Sequence, residues 1–164
     1  MIILVTGSVA TGKTSISNAL SKKLKLESID LNKLVKENKL YSGYNKKFDS
    51  YEVDTKKLNK FLIKFIKNKN LILDSHLSHY LPSKYADYCV VCKCDLKELK
   101  IRLMKRKYSK IKVRENLDSE IFDACLVEAL ENRHNVIVVD TSKKNVNKCV
   151  DEIIKKLSTK SSLS

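Results

Sequence analysis

The segment Gly7-Ser8-Val9-Ala10-Thr11-Gly12-Lys13-Thr14 satisfies G-x-x-x-x-G-K-[ST] at every fixed position, and no other feature restricts the fold of this chain as strongly. A short apolar, β-branched run, Ile2 to Thr6, enters the segment, and Ile16, Leu20 and Leu24 leave it at helical spacing. A strand that turns through such a loop into a helix belongs in a mostly parallel α/β sheet. The chain has only three glycines, and two of them are here. At Gly7 and Gly12 the backbone can adopt conformations that a Cβ would obstruct, so successive N–H groups point inward at a phosphate. The helix N-terminus adds the positive end of its dipole. The motif therefore predicts that Lys13 reaches the β- and γ-phosphates of a nucleoside triphosphate and that the Thr14 hydroxyl ligates Mg²⁺. It specifies phosphates and leaves the reaction open.

Strand and helix alternate along the rest of the chain. Strands are expected near Leu26 to Ile29, at Leu71 to Leu73 ending on Asp74, at Tyr88 to Cys94, and from Asn135 to Asp140. Helices are expected over Lys13 to Leu24, Leu31 to Lys39 and about Asp54 to Lys67, where Leu58, Leu62 and Phe65 form an apolar stripe. Further helices follow Asp95 as N-cap, cover about Asn116 to Asn132, and carry Val146, Val150, Ile153 and Leu157 on one face. Tyr41 to Val53 reads as an irregular arm. Five apolar strands joined by helical segments predict a three-layer sandwich, with right-handed crossovers and helices on both faces of the sheet. At 164 residues, with no proline- or glycine-rich linker, the chain reads as one domain over 1–157 and a flexible tail over 158–164.

Charge and cysteines narrow the setting. Lysine and arginine number 33 against 19 acidic residues, a net charge of +14, which attracts nucleotides, RNA and acidic surfaces. No apolar run approaches the roughly 20 residues of a membrane span, and no charged segment precedes an apolar one at the N-terminus; a cytoplasmic, monomeric protein is the expectation. Five cysteines without a signal segment suit reduced thiols. In Cys89-Val90-Val91-Cys92-Lys93-Cys94 the spacing offers no complete zinc ligand set; strand packing is favoured, with Cys92 and Cys94 on one face and Cys89 on the other.

Two further features bear on chemistry. Asp74 closes an apolar strand, where it would hold Mg²⁺ through water or orient an attacking group; a simple turn cap is the plainer alternative. His76 and His79 follow it, lack the partners of a metal pair, and are assigned to a loop at the mouth of the site. From Lys97 to Arg114 there are nine basic residues and one acid. Arg102 and Arg106 lie four apart on one helix face, and the planar fork of arginine suits a transferring phosphoryl group.

With these segments in hand, the chain resembles the small P-loop nucleoside monophosphate kinases, and within them adenylate kinase isoenzyme 6 and its archaeal relatives. The similarity runs from Met1 to about Leu130. It rests on the loop Gly7 to Ser15, the arm Leu40 to Leu58, the stretch Leu71 to Pro82 and the stretch Arg102 to Asp123; Asp74-x-His76 and Arg106-x-Tyr108-Ser109 are its most specific parts. The resemblance implies a sheet ordered 2-3-1-4-5, an NMP-binding arm near Asp30 to Val53 and a short lid near Arg106 to Asn116. It implies transfer of the ATP γ-phosphate to AMP, intrinsic ATPase activity, and a link to small ribosomal subunit assembly through one of the subunit's proteins and rRNA. Carried over by position, Gly7, Ala10, Gly12, Lys13, Thr14, Ser15 and Arg106 bind the cofactor ATP, with Thr14 and Asp74 at Mg²⁺. Lys13, Asp74, His76, Arg102 and Arg106 are the candidate catalytic residues. The chain departs from the family pattern with Val9-Ala10 for Pro-Gly, Lys46 and Lys47 in an arm that is usually acidic, Thr55 for a common Glu, and Lys107 for a glycine; its arm also contains no arginine.

Two rivals stand beside the kinase reading. One is an ATP-driven assembly factor whose basic segment meets RNA. The other is a kinase for another small acceptor such as shikimate, disfavoured because Asp74 to Leu81 contains no glycine where that type carries a glycine-rich acceptor motif.

Overall fold

The computed structural model describes residues 1–161. Its main sheet is wholly parallel and contains β1 (Ile2–Thr6), β2 (Glu27–Asp30), β5 (Leu71–Asp74), β6 (Tyr88–Lys93) and β7 (Val136–Asp140), in the order β2-β5-β1-β6-β7. Numbered by their place in the chain, these five strands run 2-3-1-4-5, the order expected from the resemblance. Two short strands, β3 (Tyr41–Asn45) and β4 (Ser50–Val53), stand apart as an antiparallel hairpin. The stretch expected to be irregular is therefore a hairpin, closed by a turn in which Asp49 takes φ +48°.

Strand alternation sorts the core into two layers. Ile3 and Val5 of β1 face α1 (Lys13–Leu24) and α7 (Val146–Ser161), meeting Ile16, Leu20, Val150 and Ile153. Leu4 and Ile2 face the other way, toward Leu31 and Val35 of α2 (Leu31–Glu37), Leu58 and Leu62 of α3 (Thr55–Phe65), and Ala129 of α6 (Ala124–Glu131). Nearly all these side chains have no exposed surface. Each is worth roughly 1.5–3 kcal/mol of burial, which explains why β1, whose five residues are all buried, lies at the centre. Cys89 and Cys92 fall on opposite faces of β6, as alternation requires. Cys94 lies beyond the strand end and packs in a third cluster with Ala10, Leu99 and Leu103, so it does not share the strand face of Cys92 as expected.

Asp30, Asp54, Asp95 and Ser109 cap α2, α3, α4 (Leu96–Lys105) and α5 (Lys110–Ile121), each accepting backbone N–H bonds at the helix start. The helix expected over 116–132 is two helices, α5 and α6, parted at Asp123, whose φ is +52°. Residues 158–161, assigned to a tail, continue α7; 162–164 lie outside the described residues. No described helix is long and apolar enough to cross a membrane.

Candidate active site

Between β5 and β6 the order of strands reverses about β1, and the carboxyl ends of such strands open a crevice where ligands bind. The loop after β1 occupies that position. Gly7 has φ +142°, Ala10 +68° and Gly12 +92°. A Cβ on Gly7 would stand 2.4 Å from the Cys92 carbonyl oxygen and 2.8 Å from Thr11 Oγ1, so glycine is required there both by conformation and by space. Ala10 carries a left-handed backbone with a Cβ, at a cost of about 1–2 kcal/mol. Inside the loop, Thr11 Oγ1 and Lys13 Nζ each donate to the Ser8 carbonyl oxygen at 2.8 Å.

Strand register delivers the acid. Val5 pairs with Asp74, and Asp74 with Asp30 on β2, which sets the Asp74 carboxylate beside the start of α1. Thr14 Oγ1 donates to Asp74 Oδ2 at 2.6 Å. Burial raises the Asp74 pKa from its ordinary value, a trend the Thr14 hydroxyl and the Lys13 charge oppose. Burial likewise lowers the Lys13 pKa, against the pull of Asp74. A hydroxyl and a carboxylate converging beside a cradle of amides form the hard-oxygen donor set that suits Mg²⁺ on phosphates. The residues present thus fit the expected Mg·ATP. Among the described residues no cluster of three or more His, Cys, Asp or Glu could hold a metal by itself.

The two histidines part company. His76 is exposed two residues past the end of β5; desolvation there and the charge of Lys13 keep its imidazole below the usual range. His79, by contrast, is 1% exposed. Its Nδ1 is 2.7 Å from Thr6 Oγ1 and its Nε2 is 2.8 Å from Glu128 Oε2. The mouth-of-site role expected for His79 is corrected: it is a buried tie between β1 and α6, held there because both ring nitrogens have partners.

The two arginines also differ. Arg102 Nε donates to Glu98 Oε1 at 2.8 Å, and its guanidinium donates to Thr141 Oγ1 at 3.2 Å and to the Thr141 carbonyl at 3.0 Å. Thr141 in turn donates to the Thr11 carbonyl at 2.6 Å, so Arg102 braces the phosphate loop through a neighbouring loop. Arg106 is exposed at the end of α4, and its side chain makes no hydrogen bond or ion pair among the described residues. Both arginines line an open cleft of about 550 Å³ with Ala10, Gly12, Ser15 and Thr141. Lys107 next to it has φ +55°, the conformation a glycine would take without strain.

Sequence reasoning missed the residues that reach this loop from α5. Asn116 and Glu120 are buried, four apart, and bond to Val9 and Ser8. Their signal was a pair of polar residues at helical spacing among Val113 and Leu117, which by itself reads as an ordinary amphipathic face.

Comparisons with known proteins bear on the family and the fold. The AAA domain family matches residues 3–123. A protein of Methanocaldococcus jannaschii, provisionally named an adenylate kinase, is 40% identical over 161 residues, spanning 98% of this chain and 88% of its own. Among solved structures, shikimate kinase from Acinetobacter baumannii with shikimate superposes with a TM-score of 0.70 at 14% identity, covering 97% of this chain and 93% of its own. Deoxyadenosine kinase from M. mycoides with dATP superposes with a TM-score of 0.62 at 20% identity, covering 96% and 100%. These two share the fold.

Proposed function

The chain belongs to the P-loop NTPases and, among them, to the archaeal adenylate-kinase-like proteins, and from that membership we propose that it is a nucleoside monophosphate kinase converting ATP and AMP to two ADP. The observation that carries the reading is the Thr14–Asp74 contact beside the Gly7–Thr14 loop. It sets the two candidate metal donors beside the loop at the carboxyl ends of β1 and β5.

An oxygen of the acceptor's phosphate attacks the γ-phosphorus in line, the bond from that phosphorus to the β–γ bridging oxygen breaks, and ADP leaves with the electron pair. Loop amides and Lys13 hold the β- and γ-phosphates. Thr14 and Asp74 would hold Mg²⁺, which would supply charge neutralisation and phosphate alignment. Arg106, on the lid side, moves onto the transferring group, where a guanidinium stabilises charge on the equatorial oxygens. Arg102 keeps the Thr141 loop against the phosphate loop. His76, neutral beside Lys13, lines the acceptor side, and the hairpin with α2 forms the arm over the acceptor. Closure of lid and arm excludes water; incomplete closure leaves ATPase activity.

A second reading, an ATP-driven factor that binds rRNA or a small-subunit ribosomal protein, is favoured by one observation. Lys97, Lys100, Lys105, Arg106, Lys107, Lys110 and Arg114 are all exposed on α4, α5 and the turn between them, a surface suited to a polyanion. The two readings separate in an assay of ADP formation from ATP with a panel of nucleoside monophosphates. The kinase predicts acceleration by AMP; one unchanged rate with every acceptor removes it and leaves the second reading.

A further inference from the structure

The phosphate loop of this chain carries a residue with a Cβ, Ala10, at one of its three left-handed positions. Ala10 has φ +68°, and the residue before it, Val9, has an N–H group that needs a partner. The neighbouring α5 supplies one. Val9 N–H donates to Asn116 Oδ1 at 3.2 Å, and Asn116 Nδ2 donates to the Lys112 carbonyl at 2.8 Å, fixing which way the amide faces. One turn further along the helix, Glu120 Oε2 accepts from Ser8 Oγ at 2.9 Å while Oε1 accepts from Cys94 N at 2.9 Å. Asn116 and Glu120 are 8% and 7% exposed. Around them, Val9, Val113 and Leu117 pack against Ala10, Cys94, Leu99 and Leu103.

Building on the nucleotide-binding reading above, we propose that Asn116 and Glu120 are positioning residues, which hold the phosphate loop in its nucleotide-binding shape from the lid helix. A residue with a Cβ persists in a left-handed backbone when its surroundings over-determine it. Here the two residues preceding Ala10 are each tied to a buried side chain of one helix. Neither tie uses an N–H group of Ala10 to Thr14, so both leave the amides of that stretch free of α5. The same α5 starts beside the lid arginine, and its Lys112 Nζ donates to the Asp49 carbonyl of the hairpin turn at 2.7 Å. One rigid helix therefore touches the acceptor arm near one end and the phosphate loop near the other, so the lid helix is also part of the donor site.

The test is a four-protein cycle read by calorimetric binding of a non-hydrolysable imido analogue of ATP with Mg²⁺, well below each protein's melting midpoint. The proteins are the parent, Asn116→Ala, Val9→Pro and the pair. Proline has no N–H to strand, so Asn116 has nothing to satisfy when residue 9 is proline. Asn116→Ala is expected to weaken analogue binding about tenfold when residue 9 is valine, and by less than twofold when it is proline. Equal losses in both backgrounds, or a loss under twofold with valine, would overturn the positioning role while the nucleotide-binding reading stands. A parent that fails to bind the analogue overturns both. Should Asn116→Ala not fold, the pair decides: folding and binding within twofold of Val9→Pro supports the proposal, and any weaker result ends it.

Discussion

At the scale of single residues, the site depends on one glycine that cannot be replaced and one lysine whose charge cannot be spared. Gly7→Ala would drive a Cβ into the Cys92 carbonyl oxygen, and because that neighbour is strand backbone it cannot step aside. The expected result is loss of ATP binding by at least a hundredfold together with a lowered thermal midpoint, seen by calorimetry and by circular dichroism on heating. Lys13→Ala deletes the charge at the β- and γ-phosphates and should reduce transfer by more than a hundredfold with the midpoint almost unchanged; activity within tenfold of the parent would contradict its role. Both residues were legible in the sequence, since the motif names them by type and spacing. Arg102 was legible only in part. Its clustering with Arg106 pointed to a transferring phosphoryl group, but only the fold shows its guanidinium committed to Glu98 and Thr141.

At the scale of elements, long-range ties decide what local pattern cannot. His79 joins β1 to α6 through Thr6 and Glu128, with His134 Nε2 against its carbonyl and the Tyr80 ring tilted beside it. Burial lowers its pKa despite the opposing Glu128 carboxylate. An unfolded histidine binds a proton near pH 6.5. Below that pH the unfolded chain takes up a proton that folded His79 refuses, so the tie's contribution is complete above about pH 6.5 and falls as the solution is acidified. Urea unfolding between pH 8 and 5 should show this loss, with a shallower slope in His79→Gln; an unchanged slope would refute the assignment. The Lys112–Asp49 pair makes a different kind of tie, between a half-buried lysine of α5 and an exposed aspartate of the hairpin turn. Asp49→Asn is expected to leave the thermal midpoint almost unchanged while raising the acceptor KM severalfold and leaving the ATP KM within twofold. Of these elements α2, α3 and α4 were readable because an Asp precedes each apolar stripe, whereas α5, expected from about Asn116, begins at Lys110 after its Ser109 cap. The break at Asp123 was not, for no glycine or proline marks it and its left-handed turn, next to an ion pair with Lys93, is a tertiary arrangement. The hairpin was hidden for a related reason: it carries exposed tyrosines in place of a buried alternating face.

At the scale of the whole molecule, the five-strand order and two-sided core follow from apolar strands that alternate with amphipathic helices. Sequence reasoning reached them because burial on both faces leaves a strong pattern. What the pattern could not convey is that the β3–β4 hairpin and the phosphate loop both contact α5, since those contacts join residues 63 and 112 positions apart. The central claim is that this assembly passes a phosphoryl group from ATP to a nucleoside monophosphate. The direct measurement follows the label of γ-³²P ATP incubated with the protein, Mg²⁺ and AMP. The account predicts that the label appears in the β-phosphate of ADP, and that it does so faster than inorganic phosphate is released. Label found only in inorganic phosphate, at a rate indifferent to AMP, would contradict it.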